Sequence, residues 1–197
     1  MIEKSRPGSA LLTREPGGSR LGRKLRSILL DPANTGLCSE AELFLYLSDR
    51  AQHRAEVIKP GLQAGRTVII DRFTDSTLAY QGYGRGLDLV NLKNLNDLAV
   101  QGTRPDLSVL IDLPAEIGLR RALTRNRLLQ QTDEGRFEAE ELSFHHRVRL
   151  GFLELAAAEP GRFLVLDGTR DREVILEGIK QGIRDRFPLL LPAPDRA

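Results

Sequence analysis

Thr67-Val68-Ile69-Ile70-Asp71-Arg72 is the stretch on which the fold turns. Four residues rich in β-branched side chains are too few for a helix and too apolar for a surface loop, so they read as a buried strand. An acid and an arginine follow at once. The same pattern recurs three times. Ala10–Thr13 runs into Arg14-Glu15-Pro16-Gly17-Gly18, Ser108–Asp112 ends on its own acid, and Phe163–Asp167 runs into Gly168-Thr169. Between these runs the apolar residues take helical spacing over Arg20–Leu30, Glu40–Lys59, Asp88–Val100, Ala115–Arg127, Glu138–Ala158 and Arg172–Arg186. Pro60-Gly61 is expected to stop the second of these, and Glu159-Pro160-Gly161 the fifth. Strands alternating with helices predict an α/β domain around a mostly parallel sheet. The expected domain is residues 1–187, followed by a Pro-rich tail at 188–197 that reads as an extended terminus.

Composition narrows the function classes. The chain has 197 residues with 29 basic against 27 acidic, a formal charge of +2. That balance is not the footprint of a dedicated nucleic-acid binder. No apolar run approaches the roughly 20 residues of a membrane span, and no signal-peptide pattern opens the sequence. A single cysteine, Cys38, excludes an internal disulfide and argues against a zinc-thiolate cluster. A reducing cytoplasm is the expected compartment. The basic residues divide into 24 arginines and 5 lysines. Arginine's planar fork suits phosphate, although a G+C-rich genome gives the same excess, so position must decide.

Position is informative at the strand ends, because ligands of open α/β sheets bind beyond the carboxyl ends of the strands. Asp71-Arg72 could hold a metal-bound phosphate and the phosphate itself. Asp112 reads more plainly as an ordinary polar strand end. Tyr46 and Arg50 are four apart and share a helix face, which suits a ring stacked on a base with a guanidinium one turn on. By spacing alone, a half-buried tyrosine with a solvated arginine is the plainer reading. Thr77 and Gln81 are likewise four apart, with Tyr80 beside Gln81, and Gly82, Gly84 and Gly86 then let the chain turn or approach a ligand. Arg120, Arg121, Arg125, Arg127 and Arg136 lie on a helix end and a polar loop through Gln130–Asp133. That region reads either as a lid that closes over phosphates or as a solvated surface. His145 and His146 have no third ligand at metal spacing.

The ordered motifs Thr13-Arg14-Glu15-Pro16-Gly17-Gly18, Ser48-Asp49-Arg50-Ala51-Gln52-His53, Asp71-Arg72-Phe73-Thr74-Asp75-Ser76, Leu78–Gly86, Arg104-Pro105-Asp106-Leu107 and Arg136-Phe137-Glu138 resemble those of bacterial thymidylate kinases. The resemblance runs from about Leu11 to Arg186. It implies a P-loop-kinase-like parallel sheet flanked by helices, and phosphorylation of dTMP to dTDP with ATP and Mg²⁺. It implies that Arg72 and Arg26 hold the dTMP phosphate and that Asp71 stands by the reacting phosphates and orients the metal. Tyr46 would stack on thymine, where the family usually has phenylalanine. Glu15 joins the substrate site, Arg50 would hydrogen-bond the base, and Thr77 and Gln81 match base contacts. Tyr80 would pack on the sugar. Arg125, Arg127 and Arg136 match lid arginines over the ATP phosphates. Homodimers are common in the family.

One family feature has no counterpart here. The family opens with a strand, a loop of the form G-x-x-G-x-G-K-[ST] and a helix, and no Gly-Lys-Ser/Thr occurs in these residues. Lys4-Ser5 lacks the glycines. The expectation is therefore an amino-terminally shortened member without its first, central strand and P-loop, leaving neighbouring strand edges unpaired and buried. Two alternatives accompany it: a nucleotide-binding protein without turnover, and a kinase for another nucleoside monophosphate.

Overall fold

The structure is a computed structural model, and it describes residues 8–128 and 135–191. The four strands stand where the apolar runs predict them: β1 (Ala10–Arg14), β2 (Thr67–Asp71), β3 (Ser108–Asp112) and β4 (Phe163–Asp167). β1 pairs in parallel with β2, and β3 with β4. Among the described residues no ladder joins β2 to β3, so the parallel architecture is split into two half-sheets.

Each half-sheet packs one face against helices. Val68 and Ile70 of β2 pack on Ile58, Phe73 and Val100. Leu110 of β3 and Phe163 of β4 pack on a cluster that includes Leu43, Leu78, Leu92 and Leu155. The opposite face differs from expectation. Among the described residues each strand has one unpaired edge, but the apolar residues on this face are open rather than buried: Leu12 is 75% exposed, and Ile69, Val109 and Ile111 are exposed as well. Pairing places Leu12 opposite Ile69, so both lie on the face away from the helical core.

The helices are α1 (Arg20–Leu30), α2 (Ser39–His53), α3 (Lys59–Gln63), α4 (Thr74–Thr77), α5 (Leu89–Val100), α6 (Ala115–Leu128), α7 (Leu142–Ala158) and α8 (Arg172–Arg186). Local chemistry sets several ends. The Ser19 side chain caps α1 by accepting the Gly22 N–H, and Asp88 caps α5 by accepting the Asn91 N–H.

Three expectations are corrected. Pro60-Gly61 does not stop the second helix. A widened π segment, Arg54–Ile58, follows α2 and its last turn closes from the Lys59 N–H to the Arg54 carbonyl. Pro60 then falls in the first turn of α3, where its missing N–H costs no helical bond. The fifth helix begins at Leu142 rather than Glu138, because residues 137–140 form turns, with the Glu140 N–H bonded to the Phe137 carbonyl. Finally, 74–84 is helical, as α4 and a second π segment, Leu78–Gly84, where the sequence reading had only a turning, glycine-rich stretch. Of the expected tail, residues 188–190 form a turn and Leu191 is buried; 192–197 lie outside the described residues.

A polar tie joins the half-sheets. Arg162, just before β4, donates two hydrogen bonds of 2.8 and 2.9 Å to the Asp75 carboxylate beyond β2, and Ser108 at the start of β3 donates to the same carboxylate at 2.7 Å. α7 packs closely on the second π segment, where Gly151 lies against the Tyr83 ring. A Cβ at Gly151 would come within 2.5–2.8 Å of three atoms of Tyr83. Gly151→Ala is therefore expected to destabilise the protein by about 1–3 kcal/mol through overpacking, read as a lower urea midpoint with an unchanged slope.

Candidate active site

Glu15, Asp71 and Arg72 stand at or just beyond the carboxyl ends of β1 and β2, Tyr46 and Arg50 on one face of α2, and Thr77, Tyr80 and Gln81 on α4 and the π segment after it. Glu42, Tyr46 and Arg50 recur every four residues along α2 and so form a stripe. Arg50, the expected base contact, is 2% exposed and its fork is fully engaged by protein. Its Nε donates to Glu15 at 2.8 Å, its Nη1 to Thr77 Oγ1 at 2.7 Å and to Asn96 Oδ1 at 2.6 Å, and its Nη2 to the Phe73 carbonyl at 3.2 Å. Glu15 and Thr77 are thus brought to Arg50 rather than left free. The second oxygen of Glu15 lies 2.9 Å from His53 Nδ1, and His53 Nε2 lies 2.7 Å from Thr13 Oγ1. Asn96 gives its carbonyl to Arg50, and its amide nitrogen is buried without a partner.

The loop after β1 closes over this network. The Glu15–Pro16 peptide is cis. Gly18 sits so close to the His53 ring that any side chain would overlap it. The Gly17 N–H donates to Asp49 at 3.1 Å, and burial pushes the Asp49 carboxyl above its ordinary range. Arg26 donates to the Pro16 carbonyl at 3.1 Å, which places its guanidinium beside this loop.

Glu42 is the second hub and is 1% exposed. Its carboxylate accepts from Gln81 Nε2 at 2.7 Å, from Arg85 Nη2 at 3.1 Å and from Arg136 Nη2 at 2.5 Å. Burial raises its pKa, but the hydrogen bonds from Gln81, Arg85 and Arg136 outweigh burial and leave the group below its ordinary value. Arg136 also donates to the Leu29 carbonyl at 2.6 Å and is 7% exposed. The sequence places it among lid arginines; the structure anchors it to α1 and α2. Arg125 and Arg127 are exposed on α6, Arg125 with Glu138 at 4.0 Å. Gln130–Asp133 of the expected lid lie outside the described residues.

Rings fill the space between the hubs. Phe137 lies 6.5 Å from Tyr46 and meets Tyr80 edge-on at 5.4 Å. Burial raises the Tyr46 phenol well above its ordinary value, so the ring is neutral. Arg72 lies over Tyr80, its guanidinium carbon 5.0 Å from the ring centre, and remains open to solvent. Its φ is +66°, the left-handed region that a residue with a side chain occupies only when its surroundings enforce it. Such outliers concentrate at functional sites. The other strand-end acids are committed elsewhere: Asp112 pairs with both Nε and Nη2 of Arg149, and Asp167 closes a turn with Thr169. Asp71 stands exposed beside Arg72.

The chain as a whole is similar to known proteins. The family described as thymidylate kinase matches residues 2–179. The chain belongs to the thymidylate kinase family. The thymidylate kinase of Nitratidesulfovibrio vulgaris strain Miyazaki F is 57% identical over 187 residues, which are 94% of this chain and 85% of that protein. That of Desulfovibrio desulfuricans is 55% identical over 88% of this chain and 80% of its own. The crystal structure of thymidylate kinase from Ehrlichia chaffeensis superposes with a TM-score of 0.70 at 33% identity, covering 91% of this chain and 84% of that one.

Sequence reasoning missed Glu42, His53, Asn96 and Phe137. The i, i+4 stripe through Tyr46 and Arg50 includes Glu42 and was a usable signal. Its partner Arg136 is 94 residues away, so nothing local marks the pair. The buried network predicts that Arg50→Ala destabilises the nucleotide-free protein by about 3–5 kcal/mol, because Glu15 loses its charge partner. Urea unfolding measures this. An Arg50 that served only a ligand would leave the midpoint unchanged.

Proposed function

We propose that the chain transfers the γ-phosphoryl group of ATP to the phosphate of dTMP, giving dTDP and ADP. A dTMP phosphate oxygen forms the new bond to the γ-phosphorus, and the bridging oxygen leaves with ADP. Two anions must meet, so catalysis is positioning and charge neutralisation.

The observation that carries this reading is Arg72, held in a left-handed conformation at the end of β2, stacked on Tyr80 and open to solvent. In this reading Arg72 holds the dTMP phosphate, with Arg26 nearby on α1. Tyr46 supplies a neutral ring for the base, Gln81 contacts the base, and Tyr80 packs on the sugar. Arg50, Glu15 and Thr77 act by fixing the walls of this pocket. Arg125 and Arg127 are the donor-side arginines, and Arg136 secures the end of the lid.

Asp71 suits a magnesium ion, which binds through one or two carboxylates together with waters and phosphates. When bound, the ion neutralises charge on the transferring phosphates. Among the described residues no helix is long and apolar enough to cross a membrane. A homodimer in the cytoplasm completes the reading, on the family resemblance and the single cysteine.

Calorimetry with dTMP and with thymidine, beside a coupled assay for ADP, tests the proposal. Arg72→Ala is expected to weaken dTMP binding at least tenfold and leave thymidine binding unchanged. Equal dTMP affinity in the variant would overturn the phosphate role. dTMP binding by the wild-type chain with no ADP formed from ATP would overturn the transferase reading.

A further inference from the structure

Glu42 touches Gln81, and the chemistry of that contact has a direction. An ionised carboxylate only accepts hydrogen bonds, whereas a glutamine amide both donates and accepts. Glu42 is held ionised by Gln81, Arg85 and Arg136, which outweigh its burial. Gln81 must therefore present its NH₂ to Glu42, as the 2.7 Å contact from Nε2 has it. Its carbonyl oxygen then faces away from Glu42. Gln81 is itself buried. The amide is thus a fixed acceptor rather than a group free to turn over.

We propose that Glu42 is a positioning residue that sets base specificity by locking Gln81 as an acceptor, so that the site takes a pyrimidine whose N3 carries a hydrogen and rejects one whose N3 is a bare lone pair. The inference rests on the reading of Gln81 as a base contact. Thymine and uracil offer N3–H to a Gln81 carbonyl. Cytosine offers an acceptor at N3, and with the amide locked two acceptors would face each other. A site built to pair with one pattern leaves polar groups unmatched against the other, and discrimination follows from that mismatch.

Arg85 and Arg136 strengthen the lock. Arg85 bridges Glu42 and Glu140, with 2.6 Å to the latter. Arg136 ties the same carboxylate to the end of α1. Two cations on a buried carboxylate oppose its protonation, and only protonation would let it donate to the Gln81 carbonyl. Glu42→Gln removes the directionality while keeping the shape, since the new amide can donate as well as accept.

Calorimetric titration of the full chain with dTMP and with dCMP tests the proposal, in wild type, Glu42→Gln, Gln81→Met and the double variant. The wild type is expected to bind dTMP at least tenfold more tightly than dCMP. Glu42→Gln is expected to lower that ratio at least several-fold, mostly by improved dCMP binding. In the double variant, Glu42→Gln is expected to add nothing to Gln81→Met, as required of a residue that acts through another. An unchanged ratio in a folded Glu42→Gln protein overturns the inference while leaving the proposed function intact. A wild type that binds neither nucleotide overturns the proposed function instead. A measurement on the unaltered protein stands if the variants fail to fold. The Gln81 side-chain NH₂ should show slowed exchange by NMR, and exchange at the rate of exposed glutamines would overturn the inference.

Discussion

A guanidinium taken out of water must be given acceptors on every edge, and the site depends on how Arg50 meets that demand. Its acceptors come from four places: the loop after β1, the turn after β2, α4 and α5. Burying one charge therefore fixes four segments relative to α2. The ion pair with Glu15 adds little net stability, since desolvation offsets the attraction. Its consequence is geometric. With α2 fixed, Tyr46 one turn earlier is fixed too, and so is the loop after β1 to which Arg26 of α1 is hydrogen-bonded.

Glu42 repeats the arrangement with the opposite sign. One turn before Tyr46 stands a buried carboxylate held by Gln81 and two arginines; one turn after it stands a buried guanidinium held by carboxylate, hydroxyl, amide and carbonyl oxygens. The ring between them is flanked on both sides by groups whose orientation is set by charge. That rigidity suits phosphoryl transfer, in which the protein contributes placement and neutralising charge rather than covalent chemistry. The groups left open, Arg72, Asp71, Arg125 and Arg127, are those that would meet phosphate.

Much of this was legible in the sequence. Short apolar runs, three of them ending on an acid, placed all four strands. The motif order identified the family. What escaped had distant causes. The π segments depend on one extra residue per turn, which propensity does not register, and the first of them carried the helix past Pro60. Arg136 reads as a lid residue locally and becomes an anchor only through Glu42 and Leu29 across the fold. Arg50 reads by spacing alone as a solvated arginine and by the resemblance as a base contact, and neither reading shows that protein groups engage its whole fork. Its four protein acceptors are scattered from residue 15 to residue 96. Unpaired strand edges were expected from the motif order, while the openness of the face at Leu12 and Ile69 was not.

The central claim is that charge-fixed walls on α2 frame a pocket for dTMP whose phosphate meets Arg72. A crystal structure of the chain with dTMP tests it most directly. The account predicts the base against Tyr46 with N3 directed at the Gln81 carbonyl, the phosphate on the Arg72 guanidinium, and Arg50 still bound to Glu15. A nucleotide that drew Arg50 away from Glu15, or set its phosphate away from Arg72, would contradict it.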